Sequence, residues 1–148
     1  MTAAAPRHDQ RHQSREMALQ VLYQSEIARV PVDEALEAFD ELESPPRQTT
    51  FAAWLVRGTA AHLDEIDSLI TGSAQHWRLS RMAVIDRLII RLAVFELLYA
   101  DDTPPAVVIN EALELARTFS ADEAVAFING VLDDIRRRLD SGERSPVG

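Results

Sequence analysis

The stretch Ile85–Tyr99, IDRLIIRLAVFELLY, constrains the fold more than any other part of the chain, because it is almost wholly apolar yet carries Asp86, Arg87, Arg91 and Glu96 at fixed places. At about 100° per residue, Arg87 and Arg91 fall on one narrow stripe and Glu96 projects half a turn away from Arg87. A helix that is apolar nearly all round belongs inside a bundle or inside a membrane. The apolar runs on either side of Arg91 fall far short of the roughly 18–20 residues that a bilayer requires. The segment therefore reads as the buried hub of a soluble helical domain, with a single charged seam.

Such a hub needs other helices around it, and the rest of the chain supplies them. A first helix over residues 10–29 places Leu19, Leu22, Tyr23 and Ile27 on one face and is closed by Pro31. Val32, Leu36 and Phe39 mark a short second helix, which the segment Ser44–Thr50, SPPRQTT, ends. A third helix starts near Phe51, with Trp54, Leu55, Ala61, Ile66, Leu69 and Ile70 along its apolar face, and stops at a turn, Thr71–Ser73. Ser80 is placed to cap the hub, and Thr103 with Pro104 or Pro105 opens a fifth helix. Ser120-Ala121-Asp122-Glu123 has the S-x-x-E form of a capping box, and the helix after it buries Ala124, Ile128, Val131, Leu132, Ile135 and Leu139. No segment alternates in the manner of a strand, so the fold class is all-α. Residues 10–140 form the expected helical domain, with flexible segments at 1–9 and 141–148.

The chain has 148 residues, 47% of them hydrophobic, enough for one substantial core. It has no cysteine, which removes disulfides and thiolate catalysis. It also lacks a Gly-rich phosphate loop, a nucleophile elbow and a metal-ligand cluster, so neither a cofactor, a metal nor an enzymatic activity is expected. The N-terminus, MTAAAPRHDQRHQSRE, lacks the apolar core of a secretory signal, which gives a cytoplasmic reading. The net charge of −9 argues against nucleic acid only as a single number. Residues 33–43 hold six acids and no base, whereas bases gather at Arg7, Arg11 and Arg15 and again at Arg78, Arg81, Arg87 and Arg91. That unevenness suits a basic region for an anion and acidic flanks for a basic protein.

Four segments in this order, RHQSREMALQVLYQSE (11–26), WRLSRMAVIDRLIIRLAVFELLY (77–99), PPAVVINEALELARTF (104–119) and FINGVLDDI (127–135), resemble the NusB family of bacterial transcription antitermination factors. The resemblance covers roughly residues 11–139. It implies an all-helical fold of two small bundles packed crosswise around the central apolar helix, and no catalysis. It also implies binding of the boxA RNA of ribosomal RNA operon leaders together with NusE, a small-subunit ribosomal protein, within an RNA polymerase complex that holds other Nus factors and reads through terminators. Some members self-associate through the partner surface, so a homodimer is compatible with the resemblance.

Carried onto this sequence, the family's arginine-rich start falls on Arg7, Arg11 and Arg15, whose guanidinium forks suit RNA phosphates. Phe127 matches an aromatic suited to stacking on an unpaired base, and Glu123 an acidic position that could accept from a base amino group. Arg87 and Arg91 are secondary RNA candidates, with structural pairing to Asp86 or to helix ends as the competing reading. The partner surface maps onto Asp86 and Tyr23, where a carboxylate would face a basic ribosomal protein. Two alternatives follow from the same residues. Ala126, where relatives carry a base before the aromatic, fits a protein-interaction module of the same fold with little RNA affinity of its own. A NusB-like domain also forms the RNA-binding part of some ribosomal RNA methyltransferases, and this chain ends where the catalytic part would begin.

Overall fold

In a computed structural model of the chain, residues 7–42, 50–74 and 79–142 are described. Among them the structure is all-helical: α1 (Arg7–Ala28), α2 (Val32–Leu42), α3 (Thr50–Ala61), α4 (Leu63–Ser73), a 3-10 turn (Leu79–Arg81), α5 (Val84–Tyr99), α6 (Pro105–Phe119) and α7 (Asp122–Asp140). The chain divides into two compact units, residues 1–60 and 61–148. Among the described residues, no helix is long and apolar enough to cross a membrane.

In the first unit α1 packs on α2, and Leu19, Leu36 and Leu55 are fully buried. The helix begins at Arg7, inside the segment expected to be flexible. Its end is written in hydrogen bonds. Arg29 adopts φ 59, the Val30 N–H reaches back to the Ser25 carbonyl at 3.1 Å, and the Ser25 hydroxyl donates to the Val30 carbonyl at 2.6 Å. This is the Schellman closure, here with arginine in the left-handed position that glycine usually takes. The apolar face expected of α1 does not stay buried to its end: Tyr23 is 40% and Ile27 55% exposed. In α3 the Thr59 hydroxyl is buried without a hydrogen-bond partner. Since an unmet buried hydroxyl costs about 1–3 kcal/mol and valine has nearly the same shape, Thr59→Val is expected to raise stability by about 1 kcal/mol. Thermal denaturation should then show a Tm about 2–4 °C higher; an unchanged or lower Tm contradicts this.

In the second unit the hub is as the sequence demands. α5 packs against α4, α6 and α7, and Ile89, Ile90 and Phe95 are fully buried with Glu96 among them. Ile66, Leu69 and Ile70 from α4 and Ile128, Leu132 and Ile135 from α7 complete the core.

Four local expectations are corrected. The single third helix is two, broken at His62, whose φ −110, ψ 26 leaves helical geometry. There the His62 ring packs against Tyr99 at 4.4 Å and Phe95 at 6.0 Å, while the Tyr99 hydroxyl donates to Glu65 at 2.6 Å. These contacts to α5 hold His62 out of the helix where the apolar period alone continues; Trp54 and Ala61, expected on the apolar face, are exposed. The expected turn at Thr71–Ser73 is the last turn of α4. Arg138 of α7 secures it by donating to the Leu69 carbonyl and the Ser73 hydroxyl. A Cβ on Gly72 would lie 2.8 Å from that guanidinium, so a side chain there would have to displace the end of Arg138. The N-caps of α5 and α6 are Ala83 and Pro104, with no side-chain cap; the Thr103 hydroxyl goes to Asp102. The Ser120 capping box does not form either. α7 is capped by Ala121, because Asp86 takes the Ser120 hydroxyl at 2.6 Å.

Candidate nucleic-acid interface

Within the second unit, the first turn of α7 faces the first turn of α5 and the 3-10 turn before it. Between them lies a cavity of about 390 Å³, lined by Arg81, Met82 and Asp86 on one side and Glu123, Ala124 and Phe127 on the other. Three positions singled out separately in the sequence, Asp86, Glu123 and Phe127, meet here. Phe127 is half-buried and Glu123 exposed. The lining offers an aromatic face, two carboxylates and one guanidinium. Carboxylates repel phosphate but accept hydrogen bonds from the exocyclic amino groups of bases, so the chemistry suits a base edge and face, with a phosphate left to Arg81. Arg81 is exposed and was not a site candidate in the sequence. It stood only within a basic run, and no spacing rule separates it from its neighbours.

The other candidate cations are placed differently. Arg91 makes a bidentate pair with Asp67 of α4, Nε to Oδ1 at 2.8 Å and Nη2 to Oδ2 at 2.9 Å, with side chains only 14% and 26% exposed. Its partner is thus Asp67 and not Asp86. Arg87 is half-buried and donates to the Leu79 carbonyl, holding the 3-10 turn to α5. In the first unit the guanidinium of Arg11 lies 4.3 Å over the Phe51 ring and that of Arg15 5.4 Å from it. Phe51 in turn stacks on Trp54 at 5.7 Å. Arg15 is only 4% exposed, whereas Arg11 is half-buried. Cation–π packing of this kind contributes about 0.5–2 kcal/mol and fixes the guanidinium plane. The side chain of Arg7 lies outside the described residues. His12 pairs with Glu16 at 3.2 Å.

The sequence model of the NusB family matches residues 12–137. The chain belongs to the NusB family. The transcription antitermination protein NusB of Solibacter usitatus is 46% identical over 140 residues, 93% of this chain and 95% of that protein. The crystal structure of T. maritima NusB superposes with a TM-score of 0.78 at 33% identity, covering 92% of this chain and 93% of that one. A crystal structure of the antitermination factors NusB and NusE in complex with dsRNA matches with a TM-score of 0.76 at 27% identity, over 87% of this chain and 97% of its NusB-like counterpart.

This NusB-family chain is accordingly a transcription antitermination factor and not an enzyme. Of its two partner-surface candidates, Tyr23 stands 40% exposed on α1 in the first unit. Asp86 is half-buried in the second, held by Ser120. Ser120 was legible in the sequence only as a helix cap, and its bond to Asp86 spans 34 residues.

Proposed function

We propose that the protein binds boxA-type RNA of ribosomal RNA operon leaders together with NusE, and joins RNA polymerase and other Nus factors in a cytoplasmic read-through complex. The observation that carries this reading is the cavity shared by Asp86, Glu123 and Phe127 with Arg81 at its edge. It joins a stacking ring, a base-edge acceptor and a phosphate ligand in one place, beside the carboxylate assigned to NusE. The structural match to a NusB–NusE–RNA complex supports it. In this reading Phe127 stacks on an unpaired base, Glu123 accepts from a base amino group, and Arg81 takes a phosphate. Arg7 and Arg11 are further phosphate ligands, whereas Arg15, the third expected from the sequence, is buried over the Phe51 ring and serves the fold. Arg87 and Arg91 serve the fold, given their partners. NusE meets the protein at Asp86 and Tyr23, and self-association in the absence of NusE uses the same exposed Tyr23 surface.

One observation favours a second reading. Arg15 is buried, which takes a cation from the RNA surface and fits a protein-interaction module that leaves RNA to its partner. Titration of a labelled boxA RNA with and without NusE separates the two. Binding that tightens with NusE and weakens for a scrambled RNA supports the RNA role; no binding in either condition sinks it. In the same titration Arg81→Ala should weaken binding and reduce the slope of log affinity against log salt by about one unit, the signature of one lost phosphate contact. An unchanged slope removes Arg81 from the site.

A further inference from the structure

The linker between α6 and α7 is two residues, Ser120 and Ala121, both extended at φ −110, ψ 170 and φ −71, ψ 153. Two polar groups of Ser120 have separate tasks. Its N–H closes α6 by donating to the Ala116 carbonyl at 2.8 Å. Its hydroxyl crosses to α5 and donates to Oδ1 of Asp86 at 2.6 Å. Asp86 is the third residue of α5 and lines the cavity from one side; Glu123 and Phe127 line it from the other. One hydrogen bond therefore ties the two walls together.

A hydroxyl donating to a carboxylate is charge-assisted, shorter and roughly twice as strong as a neutral pair, so it restricts the Asp86 rotamer as well as the linker. With consecutive Cα atoms fixed about 3.8 Å apart, a displacement of Ser120 passes through Ala121 directly into the first turn of α7. We infer that Ser120 is a positioning residue of the RNA site: through Asp86 it holds the α7 wall in register, and it transmits occupation of Asp86 by a basic partner to Phe127. This inference rests on the RNA and NusE reading above. In thermodynamic terms, part of the factor by which NusE raises RNA affinity is carried by the Ser120–Asp86 bond, and by linkage RNA raises NusE affinity by the same factor.

The test measures boxA RNA affinity with and without saturating NusE for the wild type, Ser120→Ala and Ser120→Thr. Ser120→Ala should weaken RNA binding by the NusE-bound protein by about 5- to 10-fold and shrink the NusE-dependent enhancement by a similar factor. Ser120→Thr, which keeps the hydroxyl, should restore both. A general weakening of the fold would instead lower affinity equally with and without NusE and leave the enhancement intact. Should Ser120→Ala fail to fold, Ser120→Cys, close in volume and a poor donor, should give the same loss. Wild-type enhancement in Ser120→Ala, or no rescue by threonine, overturns the inference and leaves the RNA reading standing. Absence of RNA binding by the wild type under both conditions overturns the reading and the inference with it.

Discussion

Phe127→Ala should reduce affinity for boxA RNA by about 1–3 kcal/mol, roughly 5- to 150-fold, the usual effect of removing one base-stacking ring. Phe127 sits on the turn of α7 that faces the cavity, and the next residue, Ile128, is fully buried. Ile128, Leu132 and Ile135 therefore continue to anchor the helix when the half-exposed ring is trimmed. Phe127→Leu sharpens the test, since leucine keeps most of the apolar volume but has no π face. If stacking is the role, leucine restores stability and not affinity. Recovery of RNA binding by leucine would show that the ring acts as packing alone. The salt slope should stay the same in both variants, because no phosphate contact is removed.

Arg91→Ala tests the opposite assignment. Its bidentate bond to Asp67 joins α4 to α5, and the pair is mostly shielded from water. Removing one partner of a buried ion pair costs about 3–5 kcal/mol because the other charge is left uncompensated; with Asp67 a quarter exposed, about 2–4 kcal/mol is expected. Asp67→Ala should cost a similar amount, and the double variant less than the sum. Chemical denaturation of the four proteins measures this cycle. A variant that loses RNA affinity and salt slope at unchanged stability would return Arg91 to the RNA surface.

The hub was readable because a buried helix declares itself locally: sixteen residues from Val84 to Tyr99 with four charges leave no other place for the segment. The end of α1 and the start of α2 were readable for the same reason, since Pro31 acts on its neighbours. What could not be read were choices made between residues far apart in sequence. The apolar period runs through His62 without a mark, because the break is caused by Phe95 and Tyr99, more than thirty residues on. Ser120 satisfied the local rule for a cap, and a carboxylate 34 residues away competed for its hydroxyl and won. Arg91 had a plausible acid five residues away in Asp86, yet its partner lies on α4 at Asp67. Of the site, Asp86, Glu123 and Phe127 came through family resemblance, and their meeting at one cavity came only with the fold. Arg81 belongs to that cavity by geometry and stood in the sequence only within a basic run, and Ser120, which reaches Asp86 from outside the lining, was legible only as a cap.

The central claim is that RNA lies against the first turns of α5 and α7. Photo-crosslinking of boxA RNA carrying a zero-length uridine crosslinker to the NusE-bound protein, followed by peptide mapping, tests it most directly. Crosslinks are expected within residues 121–127 and at the neighbouring residues 81–86, and they should fade with unlabelled boxA competitor. Competitor-sensitive crosslinks that avoid both stretches, or crosslinks to NusE alone, would contradict it.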